Sequence, residues 1–139
     1  MVEEVYVSFE VAKLLKEKGF NGKLLTFYIT DEAKKEGYFQ LMAFTDDKID
    51  NNHSDHCYLA PTLQMAMKWL REVHNIHIEL IWDKGNQLYS FQIWKLGKYQ
   101  PEISSLDLWR IYKNDNYLGE WNYEEAAEES IKYCLENLI

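Results

Sequence analysis

The segment from Tyr58 to Trp82 constrains the fold most, because its apolar residues change from a helical repeat to an alternating one within four residues. The helical part begins near Pro61 and repeats apolar side chains at i, i+3, i+4 and i+7, namely at Ala66, Trp69, Leu70 and Val73. After Asn75 the chain alternates, with Ile78, Leu80 and Trp82 on one side and His77, Glu79 and Ile81 on the other. The sequence therefore predicts a helix packed on a half-buried strand of a sheet.

Length and composition indicate one folded domain. The chain has 139 residues, of which 47% are hydrophobic and 27% charged. A chain of this length can bury roughly two thirds of its unfolded surface, which is enough for one core. No linker-like stretch divides it. We therefore predict a single domain over residues 1–139.

Charge and cysteine content limit the partners and the compartment. The net charge of −8 opposes nonspecific binding to nucleic acid or to an anionic membrane. No apolar run approaches the roughly 18 to 20 residues that a membrane-spanning helix needs, and the N-terminus is acidic where a signal peptide is basic. The two cysteines, Cys57 and Cys134, are better interpreted as reduced thiols than as a disulfide framework. These features predict a cytoplasmic protein.

The N-terminal part is predicted to contain a helix and two strands. Ser8 is a suitable N-cap for a short helix that Gly19 ends. Two segments rich in β-branched and aromatic residues then predict antiparallel strands, at Lys23 to Thr30 and Tyr38 to Phe44, joined through Asp31 to Gly37. The polar stretch from Thr45 to Cys57 is the longest predicted loop.

The C-terminal part is predicted to contain two hairpins and a closing helix. The first hairpin turns at Asp83 to Asn86. The second joins Leu106 to Lys113 with Tyr117 to Trp121 through a turn at Asn114, Asp115 and Asn116. Asn122 followed three residues later by Glu125 is a capping-box variant. The apolar residues that follow keep helical spacing to the end of the chain: Ala127, Ile131, Cys134, Leu135 and Leu138.

Together these elements predict a two-layer α+β fold. We expect an antiparallel sheet of about five to seven strands with three helices, near residues 8–18, 61–74 and 123–138. The apolar faces of the last two helices are expected to pack on this sheet, and the acidic side of the last helix is expected to face solvent.

The sharpest polar cluster lies in the long loop, at His53, Asp55, His56 and Cys57. Imidazole, carboxylate and thiolate groups are the ligands that zinc prefers, but a structural site needs four of them and the spacing fits no zinc motif, so no metal is predicted. Cys57 as a nucleophile, with His53 or His56 as its base, is a related hypothesis. A polar loop without chemistry is the simpler interpretation.

Other candidate residues lie on the predicted sheet and on the last helix. His77 and Glu79 share a strand face, which fits either a polar site or a solvated sheet face. Acidic side chains that suit a helix N-terminus, and that also suit docking of a basic protein, are Glu124, Glu125, Glu128 and Glu129. Aromatic side chains that would anchor a partner if left on the outer sheet face are Trp94, Tyr99, Trp109 and Trp121. Phosphate-binding loops, a serine nucleophile elbow and paired Cys-x-x-Cys motifs are absent from the sequence, and we expect no cofactor.

Three segments carry a resemblance to a known family. They are VSFEVAKLLKEKGF (Val7 to Phe20), YLAPTLQMAMKWLREVHNIHIE (Tyr58 to Glu79) and NYEEAAEESIKYCLENLI (Asn122 to Ile139). Together they resemble a family of small uncharacterised proteins associated with prophages and mobile elements of anaerobic gut bacteria. The resemblance implies an accessory protein that works inside a bacterial cell, and it implies no catalytic residue.

Three functions follow as hypotheses. The first is a noncatalytic module that binds another protein through its acidic helix or an aromatic sheet face. The second is a small hydrolase or metal-dependent enzyme that uses the 53–57 loop. The third is a pocket for a small ligand, lined by aromatic residues between helix and sheet. The sequence predicts neither the oligomeric state nor the identity of a partner.

Overall fold

A computed structural model describes residues 3–31, 39–43, 47–85, 87–112 and 121–139. The chain divides into two compact units, Met1–Met65 and Ala66–Ile139. Each unit combines helical structure with a three-stranded antiparallel sheet. The predicted α+β class is confirmed, and the prediction of a single domain stays a prediction.

The first helix of the first unit, α1, spans Phe9–Glu17 and has the predicted ends. The Ser8 hydroxyl oxygen accepts a hydrogen bond from the Val11 N–H at 3.2 Å. At the other end Gly19 adopts a φ of 84°, and the Phe20 N–H donates to the Leu15 carbonyl at 2.8 Å. This is the left-handed glycine cap that the sequence indicated. The side chains that α1 buries are Val11, Ala12 and Leu15.

The sheet of the first unit has the strand order β2-β1-β3. Its strands are β1 (Thr26–Thr30), β2 (Phe39–Ala43) and β3 (Cys57–Leu59). The antiparallel pairing of β1 with β2 confirms the first two predicted strands over residues 26–30 and 39–43. Residues 32–38 and 44–46, which include parts of the predicted connection, of the second strand and of the long loop, lie outside the described residues. The prediction of a loop up to Cys57 is wrong at its end, because residues 57–59 pair with β1 as a third strand.

The second helix, α2 (Leu63–His74), ends as predicted before Asn75, whose φ is 56°. Ala66, Trp69 and Leu70 are buried, as the helical repeat predicted. Val73 is 51% exposed, so its predicted burial is wrong. The buried side of α2 also includes Leu63 and Met67. Val73 lies on the same side of the helix but in its last turn, where its side chain stays exposed.

The sheet of the second unit has the order β4-β5-β6, from β4 (Ile76–Asp83), β5 (Leu88–Lys95) and β6 (Ile103–Ser104). The hairpin predicted at residues 83–86 is confirmed by the antiparallel register from Ile76 opposite Lys95 to Asp83 opposite Leu88. Ile78 and Ile93 face each other as a buried pair.

Residues 106–112 of the segment predicted as a strand from Leu106 to Lys113 belong instead to a helix, α3 (Ser105–Tyr112), and Lys113 lies outside the described residues. The Ser104 hydroxyl oxygen accepts from the Asp107 N–H at 3.2 Å, and the Asp107 carboxylate accepts from the Ser104 N–H at 3.0 Å. This reciprocal cap satisfies two donors of the first turn and favours a helix over a strand. Of the predicted partner strand at Tyr117 to Trp121, residues 117–120 lie outside the described residues, as does the predicted turn at 114–116.

The closing helix, α4 (Tyr123–Asn137), confirms the prediction for the end of the chain. The Asn122 side chain accepts from the Glu125 N–H at 2.8 Å and completes a capping box. The helix packs on β4 and β5. Its buried side chains include Ala127, Ile131, Cys134 and Leu135.

The predicted single sheet with three helices needs correction. Among the described residues there are two three-stranded sheets and four helices. Each of the two predicted strand pairs that the structure contains, β1 with β2 and β4 with β5, gains a third strand, because β3 pairs with β1 and β6 pairs with β5. The central strand of each sheet, β1 or β5, is therefore paired on both sides by strands that are near it in the sequence. Within the described part of the chain, no helix combines the length and the apolar character that crossing a membrane requires.

Candidate protein-binding surfaces

The residues of the 53–57 loop stand at the start of β3. His53, Asp55 and His56 are exposed, whereas Cys57 is buried. Two hydrogen bonds hold the backbone of His56: the Ser54 hydroxyl oxygen accepts from the His56 N–H at 3.1 Å, and the Thr30 N–H donates to the His56 carbonyl at 3.0 Å. The histidines are therefore displayed on the surface by a segment whose backbone is fixed to β1.

Cys57 has the environment of a structural cysteine. Burial raises the pKa of its thiol, although the Lys16 ammonium and a hydrogen bond with the Ser54 side chain act in the opposite direction. A nucleophilic cysteine needs a lowered pKa. The surroundings of Cys57 thus disfavour the thiolate that the enzyme hypothesis requires.

The metal hypothesis also finds no support from the arrangement of ligands. Within the ranges that the structure describes, no three or more His, Cys, Asp or Glu side chains come together in a way that would hold a metal ion.

His77 and Glu79 lie on the same face of β4, as the alternation predicted. Trp94 of β5 stands directly opposite His77, and its indole N–H donates to a Glu79 carboxylate oxygen at 3.1 Å. Trp94 is half-buried. Trp94 and Glu79 therefore form a fixed polar and aromatic feature of this sheet face.

The other predicted aromatic anchors do not share this sheet face. Trp109 lies on α3 and is half-buried. Trp121 is buried and stacks on Phe91 with ring centroids 5.6 Å apart, so it belongs to the core. Tyr99 is fully exposed on the connection after β5. The predicted cluster of aromatic residues on the sheet therefore reduces to Trp94.

The four acidic candidates of α4 serve the helix in different ways. Glu125 bonds back to the Asn122 N–H at 3.4 Å in the capping box. Glu128 and Glu129 are half-buried and have further interactions. Glu124 is exposed. Part of this acidic segment, Glu125 in particular, thus stabilises the start of its own helix.

The feature that sequence analysis missed is the exposure of β2. All five of its residues are exposed, including Phe39 at 50%, Leu41 at 41% and Met42 at 40%. None of the five carries a charge. From the sequence alone, an apolar segment of this kind is expected in the core. Its exposure follows only from its position at the end of the strand order β2-β1-β3.

The direction of the backbone groups of β2 follows from the hydrogen bonds of β1. The Thr30 N–H and the Thr26 carbonyl both bond toward β3, each at 3.0 Å. Because a strand alternates the side to which its N–H and C=O groups point, Phe27 and Ile29 bond toward β2. Their partners there are Met42 and Gln40. The backbone groups of the remaining residues, Phe39, Leu41 and Ala43, therefore point to the outer edge, where no other described strand pairs with β2.

The side chains of these three residues lie on an aromatic face of the sheet. Phe9 of α1 stacks on Phe39 with ring centroids 4.6 Å apart and meets the rings of Tyr28 and Tyr58 edge-on at 5.6 Å and 5.5 Å. Such pairs orient the rings as well as bury them. Phe39 is therefore held in place while half of its surface stays exposed.

Comparison of the chain with protein-family models, curated proteins and solved structures gave no match. Among the described residues, the outer edge of β2 is the strongest candidate interface on geometric grounds, because it combines outward backbone groups, exposed apolar side chains and a fixed aromatic neighbour.

Proposed function

We propose that this chain is a noncatalytic accessory protein that binds protein by accepting an extended strand on the outer edge of β2. The observation that carries the proposal is the exposed, uncharged strand Phe39–Ala43 with its outward backbone groups. In strand addition, main-chain hydrogen bonds supply affinity and alternate side chains supply specificity.

The five described residues of β2 lack the side chains that commonly protect an edge strand against such pairing. Exposed edge strands in monomeric proteins commonly carry lysine, proline or inward-pointing charge, which block the approach of another strand. β2 has none of these among its five residues. The exposure of Phe39, Leu41 and Met42 costs hydrophobic free energy that an added strand would recover in part.

In line with the family resemblance, we propose that the chain is an accessory protein of a prophage or mobile element and acts in the bacterial cytoplasm. A protein partner suits it better than nucleic acid, since the net charge of −8 repels phosphate. The acidic start of α4 and Trp94 remain secondary candidates for contact, because several of these side chains are already engaged within the fold.

Leu41 offers a direct test, because its N–H points away from β1. Leu41→Pro removes one outward donor and leaves the β1–β2 hydrogen bonds in place, whereas Leu41→Val keeps the donor. Linear peptides selected from a displayed library against the wild-type protein are expected to alternate apolar residues and to bind Leu41→Val. Their affinity for Leu41→Pro is expected to fall at least about tenfold, which corresponds to about 1.4 kcal/mol.

A second variant distinguishes a loss of binding at the edge from a loss of the fold. Leu41→Lys protects the edge by charge and tolerates the strand geometry, so it should lose binding with an unchanged far-UV circular dichroism spectrum. Leu106→Lys is the matched control, since Leu106 has a similar exposure of 45% on α3. Selected peptides that bind Leu41→Lys as tightly as Leu106→Lys would refute strand addition at β2.

A further inference from the structure

We infer that the strand that pairs with β2 is the β2 strand of a second copy of this chain, antiparallel and related by a twofold axis at Leu41. The inference rests on the proposed strand-addition function and specifies its partner. It would join two three-stranded sheets into one continuous sheet.

The register follows from the outward groups. In an antiparallel pair, residues that exchange both N–H···O bonds stand directly opposite each other. A twofold axis at Leu41 places Leu41 opposite its own copy and Phe39 opposite Ala43, so all the outward groups of β2 find partners. This is the register in which the whole strand overlaps. A shift by one residue would oppose inward-pointing groups and break the pairing.

Side-chain size and charge both suit this self-pairing. The large ring of Phe39 stands opposite the methyl group of Ala43, and Leu41 meets Leu41 on the same face. Because Phe39 already stacks on Phe9, each copy brings an oriented ring to the joint face. None of the five residues of β2 carries a charge, so pairing of the two strands places no like charges opposite each other within residues 39–43.

The size of the contact sets the expected strength. A five-residue strand covers much less than the roughly 1,600 Å² of a standard interface. The dimer is therefore weak and concentration-dependent.

Disulfide trapping tests the register. Two copies of Leu41→Cys would place their Cα atoms about 5.5 Å apart, within the range that a disulfide spans. Mild oxidation with diamide should convert this variant to a covalent dimer at least about ten times faster than Gln40→Cys, whose copies are offset from each other. Leu106→Cys is the exposure-matched control, and the wild type reports on the buried Cys57 and Cys134. Cross-linking of Leu41→Cys no faster than of Leu106→Cys would overturn the inference.

Sedimentation equilibrium of the wild type and of Leu41→Pro separates the inference from the function on which it rests. A wild-type dimer that Leu41→Pro abolishes supports both. A wild-type monomer that still binds the selected peptides at β2 overturns the second copy as partner and leaves strand addition standing. A dimer that Leu41→Pro does not weaken also overturns the inference, because its interface lies elsewhere. A monomer that binds no peptide overturns both.

Discussion

At the scale of single residues, Lys16 joins α1 to the loop before β3. Its ammonium donates to the Ser54 and Cys57 carbonyl oxygens, both at 2.8 Å, and lies 4.7 Å from the centre of the Tyr58 ring. Hydrogen bonds from a charged donor and a cation–π contact are each stronger than a surface ion pair. The sequence gives no sign of this role, since a lysine on a short helix normally faces water.

Replacing Lys16 by methionine should therefore destabilise the protein. The substitution keeps much of the apolar stem and leaves two carbonyl oxygens without their donor. We expect a loss of about 1–3 kcal/mol in the free energy of unfolding by urea. Lys23→Met, on an exposed lysine, is the control and should change stability by less than about 0.5 kcal/mol. Equal losses for the two variants would contradict the bridging role.

The thiol of Cys134 should make stability depend on alkaline pH. Burial raises its pKa from 9.0 to about 12 in the folded chain. Above pH 9 the unfolded chain therefore loses this proton while the folded chain keeps it, and stability falls as pH rises. One such group contributes a slope of up to about 1.4 kcal/mol per pH unit.

Urea unfolding of the wild type and of Cys134→Ala between neutral and alkaline pH checks this expectation. The variant is less stable at neutral pH because it leaves a cavity, and its stability should decline less steeply above pH 9. Parallel declines in the two proteins would show that Cys134 does not contribute.

At the scale of elements, two of the four described helices begin with reciprocal caps. Asn122 and Glu125 form one at α4, and Ser104 and Asp107 form another at α3. Asn122→Ala should cost about 1 kcal/mol of stability in a thermal or urea melt. Glu124→Ala, beside the cap on an exposed position, should cost clearly less. A smaller loss for Asn122→Ala than for Glu124→Ala would refute the importance of the cap.

The elements also show how far the sequence predicts the fold. Long amphipathic segments such as α2 and α4, and the hairpin around residues 83–86, are specified by local periodicity and turn chemistry. The strand β3 has three residues, which are too few for a periodic pattern, and it begins at the last residue of the stretch that the sequence predicts as a loop. The helix α3 contains Trp, Ile and Tyr, which favour strands, beside the helix formers Leu and Arg, so its composition does not distinguish the two structures and the reciprocal cap at Ser104 favours the helix.

The candidate interface was harder to predict for a related reason. The pairing of β1 with β2 was predicted, but which side of β1 stays open depends on where β3 pairs. Since β3 takes one side of β1, β2 becomes the edge of the sheet and its apolar residues remain exposed. Solvent exposure of an apolar strand is a property of the assembled sheet and has no local sequence signal.

At the scale of the whole molecule, net charge and edge pairing act against each other. Each copy carries a charge of −8, which repels a second copy at long range. Salt screens this repulsion, with a Debye length of about 10 Å at 0.1 M and about 3 Å at 1 M. Backbone hydrogen bonds and apolar contacts at β2 are much less sensitive to salt.

Self-association should therefore strengthen as ionic strength rises. In sedimentation equilibrium, we expect the dimer dissociation constant to fall between about 0.05 M and about 0.5 M NaCl. Leu41→Lys should remain a monomer at both concentrations. Weakening of the dimer by salt would indicate an interface held by opposite charges, which β2 does not offer.

Amide hydrogen exchange along β2, followed by NMR at increasing protein concentration, tests the central claim most directly. In dilute solution the Gln40 and Met42 amides should be protected by β1, while the Leu41 amide exchanges freely. At high concentration, or with a selected peptide, the Leu41 amide should become protected too. Equal protection of Leu41 and Met42 at every concentration would show that the edge of β2 is not free, and a Leu41 amide that stays unprotected in the complex would show that no strand pairs there.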